Sequence, residues 1–271
     1  MFDNMNSYFG ANSYNIVDRT DFDDKSIASA NIWGVADESL FKHSIEVLDR
    51  AFAAGTPFFA HIMTTSNHRP FTYPDGRIDI PSPGGREGGV KYTDYAIGKF
   101  IEDSRGKPWF ADTLFIFTAD HCAAVAGKTR LPVANYRIPL IMYGPTLVAP
   151  EVISRIASQI DVPPTIMDML GFAGSDRFFG EDLFGIPSQR AFISNYQELG
   201  YYKDNVLTVL GPEQKVAAYS VDPVTLASVP RALDAQLLRE AIAYYQTSAR
   251  AFASGDLALS PARSKAQTIA H

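Results

Sequence analysis

Leu114–Cys122 reads LFIFTADHC, an apolar run that gives way to a carboxylate and an imidazole side by side. A short apolar run bounded by polar residues is how a strand buried on both faces appears in sequence. The residues just past the carboxyl end of such a strand are where an open α/β sheet binds its ligands. Pro57–Met63 (PFFAHIM) and Ile138–Tyr143 (IPLIMY) have the same character. Helical patterns lie between these runs. Leu40–Ala54 places Phe41, Ile45, Leu48 and Phe52 at spacings of four, three and four, with Gly55 as the stop. A second helix from about Thr93 buries Tyr92, Ala96, Ile97, Phe100 and Ile101. The alternation predicts an α/β fold with a mainly parallel central sheet.

Outward from this frame, Thr72–Gly89 (TYPDGRIDIPSPGGREGG) is rich in Pro and Gly and has no period, so it reads as an excursion loop bordering a ligand cleft. Asp161 precedes Val162, Pro163 and Pro164 as the cap of a short helix that ends near Gly171. Beyond Gly185, Ala191–Asn195, Val206–Leu210 and Val216–Ser220 read as strands of an antiparallel meander separated by YYKDN and GPEQK turns, followed by an amphipathic helix from Leu233 to about Phe252. The expected divisions are 1–185, 186–259 (a small antiparallel sheet with a closing helix), and a disordered tail over 260–271.

Composition narrows the function classes. The 271 residues carry 24 Lys and Arg against 30 Asp and Glu, a net charge of −6, with 46% hydrophobic residues. The charges are interspersed, which argues against nucleic-acid binding. One cysteine, Cys122, excludes a disulfide framework and a CxxC site. The N-terminal MFDNMNSYFG has none of the regions of a signal peptide, and no stretch reaches the roughly 18 uninterrupted apolar residues of a membrane span.

Two strand ends offer chemistry. Asp120 and His121 are either a pair of metal ligands aimed at one cation or a turn cap beside a surface histidine. His68, in Thr64–Pro70, is either a hydrogen-bonded turn residue or a donor to a phosphate or sulfate oxygen, with Arg69 able to supply charge to the same anion. Both segments are expected at one edge of the sheet. His61 lies inside an apolar run and reads as a hydrogen-bonded core residue. His43 and His271 carry no role, Cys122 reads as packing, and Lys128 as a solvated loop lysine. The nucleotide, nucleophile-elbow and zinc-protease motifs (GxGxxG, GxxxxGK[ST], GxSxG, HExxH) are absent.

Four ordered segments carry a resemblance. FTADHCAAVAGKTRLPVANYRIPLIMYGP (Phe117–Pro145) resembles the metal-binding segment of the alkaline-phosphatase-like sulfatase superfamily. TTSNHRPF (Thr64–Phe71) resembles the substrate-histidine segment of its lipoteichoic acid synthase and phosphoglycerol transferase branch. SQIDVPPTIMDMLGF (Ser158–Phe172) is similar to the helix that closes that domain, and WGVADESLF (Trp33–Phe41) to the segment before the first strand. The likeness spans about residues 2–185. It implies a sulfatase-like sandwich and two ligands, Asp120 and His121, of one divalent cation (Mn²⁺, Mg²⁺ or Zn²⁺). It also implies that His68 binds or protonates the transferred group, and that the substrate is a phospholipid headgroup or a glycan.

The family's nucleophile and a further acidic ligand belong to a region N-terminal to the one that FDNMNSYF resembles. Thr20 lies in a polar DRTDFDD stretch, and Cys122 is misplaced to be the modified cysteine of true sulfatases. The expectation is therefore the C-terminal part of a longer catalytic domain, inactive by itself, from a parent anchored by N-terminal membrane helices with this domain periplasmic or extracellular. Hydrolysis of sulfate or phosphate esters, and a non-catalytic binding module with a vestigial metal site, are the alternatives.

Overall fold

Phe41, Ile45 and Leu48 are one stripe of a helix, and in the computed structural model that stripe meets another carrying Tyr92, Ala96 and Phe100. All six side chains are buried. Phe41 and Phe100 stack at 4.8 Å, and burying each large apolar side chain contributes about 1.5–3 kcal/mol. The structure describes residues 4–123, 131–172, 177–185 and 188–257. These fall into two units, residues 1–113 with 144–146, and residues 114–143 with 147–271.

In the first unit α1 (Met5–Ala11) is followed by two 3-10 turns and the short antiparallel pair β1 (Ala30–Asn31) and β2 (Gly34–Val35). α2 (Asp37–Ala53) starts with Asp37 and Glu38, whose charges suit a helix N-terminus. α3 (Gly85–Ser104) begins earlier than the sequence suggests, so the last five residues of the expected excursion loop are helical. The rest of that loop folds back on itself. Tyr73, stacked on Tyr92 at 5.0 Å, donates its hydroxyl to the Ile80 carbonyl at 3.1 Å. Arg77 pairs with Glu38 of α2 at 2.8 Å. At the far end of α2, Asp49 accepts from Lys107 Nζ at 2.6 Å and from Trp109 Nε1 at 2.9 Å.

Residues 57–63, expected as a buried strand, belong to no strand among the described residues, and Phe59 is 69% exposed. His61, expected in the core, is exposed, its ring 5.4 Å from that of Phe9. A strand exists only through its neighbours' hydrogen bonds, and this segment finds none.

In the second unit β3 (Phe115–Thr118) pairs with β4 (Leu140–Tyr143), Phe115 opposite Tyr143 and Thr118 opposite Leu140. The pairing is antiparallel, as is every pairing among the described residues, where the alternation predicts parallel strands. Parallel neighbours need a crossover, usually a helix. The described part of 119–139 holds a 3-10 turn, Val133–Tyr136, and no crossover helix.

α4 (Val162–Met169) follows a 3-10 turn over Gln159–Asp161. The expected meander is present and larger than expected. β5 (Arg190–Ser194), β6 (Leu199–Lys203), β7 (Val206–Leu210), β8 (Val216–Val221) and β9 (Ser228–Arg231) pair in chain order. Tyr201 and Tyr202, expected in a turn, lie in β6, and the turn falls on Asp204 and Asn205 with positive φ. One face of this sheet buries Leu207, Val209 and Tyr202 against Leu131 and Val133. The other buries Tyr201 and Val206 against Leu237 and Ala241 of α5 (Ala235–Ser254). β7 is buried almost throughout because both faces are covered.

The expected boundary at 185/186 falls inside this unit. Asp161, expected to cap α4, makes no such bond. Its carboxylate instead takes Arg190 Nη1 at 2.9 Å on both oxygens, together with the amides of Ser158 (2.8 Å) and Glu181 (2.9 Å). Lys128, His271 and the expected tail over 260–271 lie outside the described residues.

Candidate functional site

The end of β3 delivers Ala119, Asp120 and His121 into a turn whose backbone is clamped from the far side. Gln159 Nε2 donates to the carbonyls of Ala119 (3.0 Å) and Asp120 (2.8 Å). Asp120 Oδ1 accepts the His121 amide at 2.8 Å, which is the turn-capping role. Oδ2 is left for another partner. His121 Nδ1 stands 2.8 Å from the Cys122 carbonyl. A carbonyl only accepts, so Nδ1 carries the proton and Nε2 the lone pair in the neutral ring. Nε2 lies 3.5 Å from Asp120 Oδ2, and both side chains are largely exposed.

This donor set fits a divalent cation. Two ligands at about 2.1 Å on a tetrahedral centre stand about 3.4 Å apart, and a carboxylate with an imidazole suits Zn²⁺ or Mn²⁺. Fixing the second ring nitrogen on a backbone carbonyl is the usual way a ligating histidine is oriented. Among the described residues no cluster of three or more His, Cys, Asp or Glu is placed to hold an ion, and Asp120 and His121 are two such residues side by side.

His68 belongs to the first unit, and its surroundings are described there by themselves. Its amide donates to the Thr65 carbonyl at 3.0 Å, and its carbonyl accepts the Phe71 amide at 2.8 Å, so it sits in two consecutive tight turns. The imidazole is exposed and packs on Trp33, ring centres 4.0 Å apart. Nδ1 lies 3.0 Å from the Arg69 carbonyl, the same arrangement as at His121. Nε2 is thereby the nitrogen free to meet an anion: an acceptor when the ring is neutral, a donor when it is protonated.

Gln159 and Trp33 are absent from the sequence-based set of candidates. Each acts across a long separation, 39 residues from Asp120 and 35 from His68 respectively, and nothing local marks either as a partner.

A family model described as Sulfatase matches residues 2–172, more than half of the chain. The chain belongs to the sulfatase family. Among solved structures this sulfatase-family chain is similar to an alkaline phosphatase superfamily protein from Vibrio parahaemolyticus, with 32% identity and a TM-score of 0.88 over 94% of this chain and 63% of that one. A lipoteichoic acid synthase from Listeria monocytogenes shares the fold, with a TM-score of 0.71 at 22% identity over 90% of this chain and 64% of that one. The fold is thus the alkaline-phosphatase-like α/β class. A lipoteichoic acid synthase-like protein of Bacillus subtilis is 27% identical over 196 residues, 60% of this chain and 31% of its own length. Phosphoglycerol transferase I of Xanthomonas campestris is 24% identical over 178 residues, 60% of this chain and 25% of its own. The sulfatase-family chain therefore spans about a third or less of these curated relatives. No helix among its described residues is long and apolar enough to cross a membrane.

Proposed function

We propose that this chain carries part of the active site of a metal-dependent phosphoglycerol transferase. The observation that carries the reading is the pair Asp120 Oδ2 and Nε2 of His121, 3.5 Å apart at the end of β3 and free of other partners among the contacts described above. When bound there, a divalent cation (Mn²⁺, Mg²⁺ or Zn²⁺) supplies charge that stabilises anionic oxygens on a transferring phosphoryl group. In the first unit, taken by itself, His68 in its protonated form binds a phosphoryl oxygen or protonates a leaving group through Nε2, with its Nδ1 proton committed to the Arg69 carbonyl. The substrate class is a phospholipid headgroup or a glycan, and the whole protein is membrane-anchored with this domain outside the cytoplasm. The names of the relatives, lipoteichoic acid synthase and phosphoglycerol transferase, support that choice. None of the residues assigned here is the nucleophile, so hydrolysis of an activated phosphodiester by this chain alone is expected at background.

Calorimetric titration with Mn²⁺, then Mg²⁺ and Zn²⁺, tests the reading. Binding tighter than about millimolar in the wild type, lost in the Asp120→Ala/His121→Ala double variant, supports it. Binding unchanged by the double substitution would remove both residues from the site, and no binding in either protein would remove the chain from the metal-dependent reading.

A further inference from the structure

Asp37 is fully buried in the first unit, and its carboxylate is used at three points. Oδ1 accepts the backbone amides of Thr65 at 2.9 Å and Ser66 at 3.0 Å, and Oδ2 accepts the Thr93 hydroxyl at 2.8 Å. In return the Asp37 amide donates to Ser66 Oγ at 3.1 Å. One side chain thus ties the start of α2, the loop that carries His68, and α3. A buried carboxylate is tolerated only with such partners, and charge-assisted bonds to amides are about twice as strong as neutral ones. Thr65 and Ser66 are therefore among the most firmly held backbone positions of the loop.

We propose that Asp37 is the positioning residue of His68. Thr65, whose amide Asp37 holds, is also the residue whose carbonyl accepts the His68 amide, so the turn that aims the imidazole is pinned at its first member. Thr65 Oγ1 adds a bond to the Val35 carbonyl at 3.0 Å. Trp33, against which the imidazole packs, lies four residues before Asp37, so one short segment supplies both the ring and the carboxylate. α3 also closes on the loop at Gly89, where a Cβ would stand 3.1 Å from the Ser66 carbonyl oxygen. On the backbone so held, the imidazole stands with Nδ1 3.0 Å from the Arg69 carbonyl and its ring against Trp33. The functional meaning of this role rests on the reading of His68 as a phosphoryl-contacting group; the positioning stands on the geometry alone.

The test is the tautomer of His68, read by long-range ¹⁵N–¹H NMR on the full chain with the His68 signals identified from a His68→Asn variant. The wild type is expected to show the Nδ1–H form, together with ring contacts to Trp33. Asp37→Ala is expected to lose both, reverting to the Nε2–H form that a free imidazole favours. Asp37→Asn, whose amide oxygen still accepts both backbone amides, is expected to keep them. A general loss of stability would not sort the variants in this way. If Asp37→Ala does not fold, Asp37→Ser carries the same test, because its hydroxyl is too short to hold both amides. A folded Ala or Ser variant that retains the Nδ1–H form overturns the proposal, as does equal loss in Asp37→Asn. Binding of glycerol phosphate to the wild type and to His68→Gln is measured separately. No difference there would sink the phosphoryl reading while leaving the tautomer result standing.

Discussion

Two pairs in the second unit, each a carboxylate beside a nitrogen-bearing side chain, differ chiefly in burial. Asp161 and Arg190 have side chains 2% and 1% exposed, whereas those of Asp120 and His121 are 79% and 65% exposed. Both Asp161 oxygens are committed inside the fold, and the rings of Phe192 and Tyr244 lie 5.1 Å and 5.5 Å from the guanidinium carbon. Burial acts to lower the Arg190 guanidinium; Tyr244 and the Asp161 carboxylate outweigh it, so it titrates above its ordinary range. At Asp120 one oxygen accepts the His121 amide and the other stands 3.5 Å from His121 Nε2. A pair that satisfies itself belongs to the scaffold, and a pair that leaves lone pairs facing solvent is available to a ligand.

The largest effect should come from breaking the buried pair. Arg190→Ala leaves the Asp161 charge without its cation and should cost about 3–5 kcal/mol in chemical denaturation. Replacing both partners with apolar residues should not recover the loss, because the amides of Ser158 and Glu181 would also lose their acceptor. Full recovery by the double replacement would show that the pair is only an ion pair and not a junction. Gly180 serves the same junction. A Cβ there would lie 1.8 Å from the Ile160 carbonyl oxygen, so Gly180→Ala must push apart the backbone that brings Glu181 to Asp161. A loss of about 1–3 kcal/mol is expected, and an unchanged denaturation midpoint would refute that account of the glycine.

The exposed pair should behave in the opposite way. Asp120→Ala with His121→Ala should leave stability within about 0.5 kcal/mol of wild type. It should weaken Mn²⁺ binding at least about tenfold, a change of about 1.4 kcal/mol. A large loss of stability in this variant would collapse the contrast with Asp161 and Arg190.

The parts legible in the sequence were those set by local pattern. The α2 stripe of Phe41, Ile45 and Leu48, the strand before Asp120, and the strands at Val206 and Val216 depend on spacing along the chain. Partners could not be read. Residues 57–63 have a strand's composition yet belong to no strand among the described residues. Asp161 sits where a helix cap belongs, but its carboxylate is taken by Arg190, 29 residues on. Tyr201 and Tyr202 read as a turn beside Lys203, Asp204 and Asn205, whereas pairing with β5 and β7 makes them part of a strand. At the candidate site Asp120 and His121 are visible as a strand end, while Gln159, which clamps their turn, is not.

A third pair lies between the two extremes and supplies the smallest effect. Glu240 of α5 accepts from Lys203 Nζ at 2.9 Å, from the Tyr201 hydroxyl at 2.8 Å and from Gln236 Nε2 at 3.0 Å, with Lys203 and Glu240 side chains 22% and 26% exposed. The Lys203 ammonium is the main reason the Glu240 carboxyl titrates below its ordinary 4.5, and Glu240 in turn holds Lys203 above its ordinary 10.5. A depressed carboxyl adds stability that is full above its unfolded value and is lost as pH falls through the folded one. A raised ammonium adds stability that is full below its unfolded value and is lost as pH rises through the folded one. The pair therefore contributes between 4.5 and 10.5 and fades on both sides. Lys203→Met should cost less than about 1 kcal/mol at neutral pH, given this partial exposure. The gap to wild type, read from urea midpoints, should narrow by about pH 3 as Glu240 takes up its proton in both proteins. A gap of the same size at about pH 3 and pH 7 would mean that the charge of the Lys203–Glu240 pair does not carry the stabilisation.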